Sequence, residues 1–314
     1  MEYRNLGRSG LQVSVVGLGC NNFGRRCDLE ATKAVVDRAI DLGINLFDTA
    51  NVYGPGGLSE EYLGQALGAR RQDVVVATKF GGQMGEGPMR SGGSRKHIVD
   101  ACEASLRRLG TDYIDLYQVH FPDTTTPIEE SMRALDDLVQ SGKVRYIGHS
   151  NFSGWQTAEC HYIAQQANLA PFISAQNQYS LLDRAVEKEL APACQKFGLG
   201  ILPYFPLASG FLTGKYRRGE DLPEGARLSN PAMQGMAGRI MNDRNWDKLE
   251  KLDDFAQSHE KSMVDLAVGW LASKPYVGSV IAGATKPEQV DSNVAAGDWK
   301  LTPEEMAAVD AIAS

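Results

Sequence analysis

The segments INLFD (44–48), VVVATK (74–79), YIDLYQVH (113–120) and VRYIGHS (144–150) are short, β-branched and almost unbroken in their apolar residues. A strand buried on one face alternates apolar with polar, so near-continuous runs mark strands covered on both faces, as in a parallel sheet. Four more runs of the same kind are VSVVGLG (13–19), FISAQ (172–176), GILPY (200–204) and VGSVIAG (277–283). Amphipathic segments separate them. In LEATKAVVDRAIDLG (29–43), Ala34, Val35, Ala39, Ile40 and Leu42 recur at helical spacing and Gly43 ends the run. Eight strand–helix units over about 250 to 300 residues predict a closed α/β (β/α)8 TIM barrel filling the chain as a single domain, 1–314. An open dinucleotide-binding sheet would need G-x-G-x-x-G after the first strand; GLGCNNFG has its glycines at 17, 19 and 24, and the spacing fails.

Outside the repeats, YRNLGRSGLQVS (3–14) predicts a β-hairpin that could close the N-terminal end of the barrel. The seventh unit breaks the short-loop rule: roughly forty residues (205–243) follow Tyr204 before the next clear helix near Asn245. That stretch reads either as a solvated linker or as a lid over the barrel mouth, with Met233, Met236 and Met241 adapting to bulky apolar ligands. Long loops are thus expected at the C-terminal face. The small-residue loop 80–93 is expected to border a substrate site.

Composition narrows the function. The 314 residues are 43% apolar, with 32 Lys and Arg against 39 Asp and Glu, a net charge of −7. That balance disfavours nucleic acid, whose binding rests on Lys and Arg displacing counterions. No membrane span and no secretory leader is expected from the sequence. Cys20, Cys27, Cys102, Cys160 and Cys194 are odd in number and form no C-x-x-C pair, so they read as reduced thiols of a cytoplasmic protein. The histidines (His97, His120, His149, His161, His259) are scattered, without H-x-H or H-E-x-x-H spacing, and no metal site is expected. No coiled-coil heptads appear, so a monomer is the default, with an oligomer left open.

Barrel enzymes carry their chemistry at the carboxyl ends of the strands. There stand Asp48, Tyr53 five residues later, Lys79 and His120. Singly these read as a turn cap, a packed aromatic, a snorkelling lysine and a core histidine. On one rim they make a proton donor. An ammonium beside a tyrosine lowers its pKa, so Lys79 is expected to bring Tyr53 down from about 10; Asp48 would balance the Lys79 charge, and His120 would orient a substrate oxygen. His149 would point either into the mouth beside Ser150 or outward among the helices.

The segments INLFDTANVYG (44–54), SEEYLGQAL (59–67), VVVATKFG (74–81), TDYIDLYQVHFPD (111–123), GKVRYIGHSNFS (142–153), SAQNQYSLLDR (174–184), PYFPLASGFLTGKY (203–216) and VIAGATKPEQVDSN (280–293) together resemble an aldo-keto reductase. The branch they resemble contains bacterial stress-type reductases and potassium-channel β-subunits. The resemblance implies that Asp48, Tyr53, Lys79 and His120 are a catalytic tetrad, with Tyr53 the general acid in reversible carbonyl reduction. It implies NADPH (NADP+) as cofactor, with NADH open. Ser150, Asn151 and Gln176 would bond the nicotinamide carboxamide and Tyr204 would stack on its ring. Leu207, Ser209, Gly210, Leu212 and Lys215 would fold over the pyrophosphate. Gly283, Ala284, Thr285, Lys286, Gln289 and Asn293 would take the adenosine and 2′-phosphate, with Lys286 the only cation of that segment. Residue by residue, the same segment reads as a helix start with Thr285 as N-cap and Pro287 in the first turn. The partner is then a small carbonyl compound or alcohol, sugars and polycyclic compounds included; the alternative is a regulatory subunit that senses the cofactor with little turnover.

Overall fold

The computed structural model describes residues 1–230 and 233–314. A hairpin, β1 (Tyr3–Asn5) and β2 (Gln12–Ser14), precedes eight strands: β3 (Val16–Gly19), β4 (Leu46–Asp48), β5 (Val75–Phe80), β6 (Ile114–Val119), β7 (Val144–Ser150), β8 (Phe172–Gln178), β9 (Gly200–Tyr204) and β10 (Val280–Gly283). These eight are the predicted ones. They pair in parallel in the order β10-β3-β4-β5-β6-β7-β8-β9, and a bridge between Ile201 and Val277 joins the last to the first. The result is the expected α/β barrel with its N-terminal hairpin.

The run 13–19 is divided between two strands. Its first part pairs antiparallel with β1; the chain then turns at Val15, whose N–H donates to Glu2 O, and enters the barrel. In the first helix, Leu29–Asp41, the buried face is Thr32, Val35, Val36 and Ala39, while Ala34 is exposed. The apolar stripe is therefore rotated by about one residue from the predicted one, and the Thr32 methyl substitutes for a hydrocarbon side chain. Among the described residues three helices are additional to the barrel ring: the short Gln234–Ile240, and Asp243–Ser258 and Pro303–Ala313, which pack on each other.

Side chains divide the protein into two apolar regions. The larger lies between the strands and the helices. The smaller fills the floor inside the barrel: Leu46, Val75, Ala77, Leu116, Leu202 and Ile281 meet Leu6 and Val13 of the hairpin. The hairpin thus plugs the N-terminal end, as expected. Its turn approaches the barrel so closely that a Cβ on Gly7, at φ +59°, would sit 2.4 Å from Gly198 O. No larger residue fits there.

His149, on β7, points outward. Its ring stacks on Phe152 at 4.7 Å and meets Phe172 edge-on at 5.2 Å. The Thr157 hydroxyl gives its one proton to Ser153 O, so at 3.3 Å it accepts from His149 Nε2. Burial holds the imidazole pKa down at about 3.

Two outcomes follow from this packing. Leu6→Ala, which empties the centre of the floor, is expected to lower unfolding stability by about 2–5 kcal/mol in denaturant titration; an unchanged midpoint would show that the plug is dispensable. For His149, the unfolded imidazole takes up a proton near pH 6.5 and the folded one does not until about pH 3. Stability from this site is therefore complete above pH 6.5 and declines as pH falls towards 3, and His149→Phe should make the acid decline of the denaturation midpoint shallower.

Candidate active site

The interior changes character one rung above the floor. Side chains two residues apart on a strand share a face, so above Leu46, Ala77 and Leu116 come Asp48, Lys79 and Gln118. Lys79 is fully buried, and its Nζ donates to Asp48 Oδ2 at 2.6 Å and to Thr49 O at 2.7 Å. Asp48 Oδ1 accepts from Gln118 Nε2 at 3.2 Å and from Gln176 Nε2 at 2.7 Å. Burial works against the Lys79 charge, but Asp48 and Tyr53 outweigh it and its pKa is raised.

Tyr53 stands in the turn after β4. Its N–H donates to Ala50 O, its carbonyl accepts from Ser59 N–H, and Gly54, Gly56 and Gly57 carry the turn through positive φ. Lys79 Nζ lies 5.0 Å from the Tyr53 ring centroid, and the His120 ring meets Tyr53 edge-on at 5.7 Å. The four residues predicted for one rim are thus gathered around one point. The expected drop in the Tyr53 pKa is not found. Burial is the largest influence and raises it, and the pull of Lys79 offsets this only in part. Burial, with Lys79 second, depresses His120 to about 3, so its ring is neutral, and its buried Nδ1 has no hydrogen-bond partner.

These groups open into a cavity of about 650 Å³, within the range of small-molecule sites. Asp48, Tyr53 and His120 reach its wall; Lys79 stays behind Asp48. Ser150, Asn151, Gln176 and Tyr204 line it and are tied together: Ser150 Oγ donates to Gln176 O, Asn151 Nδ2 to His120 O, and Tyr204 OH to Asn151 Oδ1. Gln176 Nε2 gives one N–H to Asp48, which leaves its side-chain Oε1 as the acceptor it can offer a ligand.

The long seventh loop is not a plain linker. It forms short helical turns at Ala208–Thr213 and Arg227–Ser229 and a helix at Gln234–Ile240, earlier than the helix foreseen near Asn245. Pro231 and Ala232, inside it, lie outside the described residues. Phe205, Ala208 and Ser209 all adopt positive φ, a strained choice for residues with a Cβ that clusters at ligand sites. Leu207, Ser209, Gly210 and Lys215 line the cavity, whereas Leu212 is buried in the core. Met236 and Met241 pack against that core instead of lining the main cavity. Ser209 Oγ contacts Met236 Sδ at 3.2 Å. Aromatic and cationic residues, Phe205 and Arg227, take the place foreseen for methionines.

In the last unit Gly283, Thr285, Gln289 and Asn293 line the cavity; Ala284 is buried, and Lys286 is exposed and is not part of the lining. The N-cap of Pro287–Ala296 is Lys286, not Thr285, because Thr285 N–H and Oγ1 both turn to Gln289 Oε1, at 2.8 and 3.2 Å. Pro287 is in the first turn, as read. Loop 80–93 packs on Val52 next to Tyr53 and does not reach the cavity wall. Three contributors were missed. Gln118 was legible, since it precedes His120 by two in YIDLYQVH and must share its face. Arg26 and Arg227 lie on irregular loops, where no periodicity announces them.

Among the described residues no helix is long and apolar enough to cross a membrane, and no group of His, Cys, Asp and Glu could hold a metal ion. A sequence model of the Aldo/keto reductase family matches residues 15–314. The chain is 42% identical to a probable voltage-gated potassium channel subunit beta of Oryza sativa subsp. japonica, over 99% of this chain and 96% of that one. It is 38% identical to an L-glyceraldehyde 3-phosphate reductase of Escherichia coli O157:H7, over 99% and 92%. An uncharacterized oxidoreductase of Bacillus subtilis (strain 168) is 36% identical over 97% and 93%. Matched along nearly its whole length, with a polar cluster at the carboxyl ends of its barrel strands, the chain belongs to the aldo/keto reductase family.

Proposed function

We propose that this oxidoreductase reduces aldehydes or ketones reversibly with NADPH, and that Tyr53 is its general acid. The observation that carries the reading is the convergence of Tyr53, the Lys79–Asp48 pair and His120 at one end of the cavity. The residues present suit a nicotinamide dinucleotide. Among the described residues three cations, Arg26, Lys215 and Arg227, line the cavity with one carboxylate, Asp48, which is neutralised by Lys79. Ser150, Asn151, Gln176 and Tyr204 would hold the nicotinamide end; Leu207, Ser209, Gly210 and Lys215 the diphosphate; Gly283, Thr285, Gln289 and Asn293 the adenosine. Bound there, the cofactor would supply the hydride.

The chain's own residues supply the proton. With its pKa raised by burial, Tyr53 is protonated at neutral pH and in the acid form the reduction needs. Lys79 behind it favours the phenolate as the proton leaves, and Asp48, fixed by three donors, keeps that ammonium in place. His120 is neutral and its ring lines the cavity, which suits a hydrogen bond to the carbonyl oxygen without adding charge. The relative that acts on a phosphorylated aldehyde makes glyceraldehyde 3-phosphate a candidate substrate. Five buried thiols, none in a disulfide, favour a reducing compartment such as the cytoplasm. The channel-subunit relative supports a second reading, in which nucleotide binding itself is the output.

Tyr53→Phe is expected to lower kcat/KM for carbonyl reduction by about 10²–10⁴-fold while leaving nucleotide affinity nearly unchanged. Near-normal turnover would sink the assignment of the acid; tight binding without turnover in the parent protein across a broad carbonyl panel would favour the sensing role. Lys79→Met should cost about 3–5 kcal/mol of stability by leaving Asp48 uncompensated, and the double variant with Asp48→Asn should regain most of it while staying inactive.

A further inference from the structure

A second buried ion pair lies outside the barrel wall, behind the turn that carries Tyr53. Glu60, in the first turn of the helix Leu58–Leu67, is fully buried. Its Oε2 accepts from Arg108 Nε at 2.7 Å and its Oε1 from Thr78 Oγ1 at 2.5 Å. Arg108 belongs to the last turn of the helix Arg95–Leu109, and its Nη2 donates to Ser105 Oγ at 3.3 Å. The guanidinium also backs the turn itself. A Cβ on Gly57, at φ +86°, would lie 2.5 Å from Arg108 Nε, 2.9 Å from its Cδ and 3.0 Å from its Cζ, so the arginine fills the place of a side chain there. Seven residues on, Gly64 brings the same two helices together, with a Cβ there 2.3 Å from Leu109 O. Between Tyr53 and the helix stand only Gly54, Pro55, Gly56 and Gly57. Such a stretch has almost no side chains to lock its shape, and its conformation depends on what it rests against.

We propose that Glu60 and Arg108 are positioning residues for the reaction, and that the pair fixes the place of Tyr53 relative to Lys79 and His120 by giving the glycine turn a rigid wall. The inference rests on Tyr53 being the general acid. A buried ion pair adds little stability over apolar residues of the same volume, but its charge-assisted bonds are directional, and that suits a wall of fixed position. The wall is also referred to the lysine. Thr78 and Lys79 are consecutive on β5 and face opposite sides of the sheet, so Glu60 grips the outer face of the strand where Lys79 leaves its inner face. From the other side, Ser59 N–H donates to Tyr53 O and its hydroxyl to Cys20 O at 2.8 Å, which ties the start of the helix to the end of β3.

The test uses the full chain with R108M, R108K, the double variant E60Q/R108M and Y53F, assayed with NADPH and with 4-nitrobenzaldehyde and glyceraldehyde 3-phosphate as substrates. R108M and E60Q/R108M are expected to lower kcat about 10–100-fold, with KM and the NADPH dissociation constant within about 2-fold of the parent. The solvent deuterium isotope effect on kcat should rise in both, because a displaced phenol slows the proton step and leaves the binding steps alone. R108K keeps the charge without the planar fork and should fall between R108M and the parent. The double variant leaves no lone buried charge and is expected to fold even if R108M does not. The proposal is overturned if the double variant, folded by circular dichroism, keeps kcat within about 2-fold of the parent, loses nucleotide affinity in step with kcat, or shows the parent's isotope effect. Near-parent turnover in Y53F, or a parent that reduces neither aldehyde, overturns the reading of Tyr53 as the acid, an outcome separate from an unmoved kcat in the double variant.

Discussion

The upper half of the barrel depends on one buried ion pair, Lys79 with Asp48. An ammonium and a carboxylate out of water cost several kcal/mol each unless their remaining hydrogen-bonding capacity is met. Here it is met from four strands and a turn: β4 supplies Asp48 and the carbonyl after it, β5 the lysine, β6 and β8 the carboxamides of Gln118 and Gln176. Only a closed sheet brings these side chains to one axis. The pair is therefore both a consequence of the barrel and a constraint on its register, because a slip of one residue on any contributing strand would send that group into the outer apolar layer.

Below the pair the interior is hydrocarbon, sealed by Leu6 and Val13 of the hairpin; above it lies the cavity. The polarity gradient along the barrel axis sets the ionisation of the site. Tyr53 and His120 sit where burial dominates, so both are neutral, one a phenol and the other an imidazole, beside a lysine that remains charged because Asp48 is fixed there. Such a set can pass a proton without creating an isolated buried charge, since the positive partner of a developing phenolate is already in place.

The barrel and the rim were legible because both follow short-range rules. Apolar runs located all eight strands, and the carboxyl-end rule placed Asp48, Tyr53, Lys79 and His120 together although residues 48 and 120 are far apart in the chain. Gln118 follows from the same two-residue alternation that placed His120. What failed were balances and loops. The pKa of Tyr53 is a contest between burial and a neighbouring charge, and the sequence displays the charge but not the burial. Thr285 has the composition of an N-cap, yet Gln289, one turn on, competes for its donors. Whether Lys286 faces the cavity depends on the orientation of that helix start, which composition does not specify.

The division between strands and loops is also a division of labour. Groups on β4, β5, β6 and β8 are held by paired backbone and satisfied side chains, which suits chemistry requiring fixed distances. The cations are carried differently. Arg26 and Arg227 come from irregular segments, one pinned to β10 by side-chain contacts and the other continuing a loop whose Phe205, Ala208 and Ser209 are held at positive φ. Mutual repulsion among Arg26, Lys215 and Arg227 opposes close approach of these two loops when nothing lies between them, and an anion reverses the sign of that force.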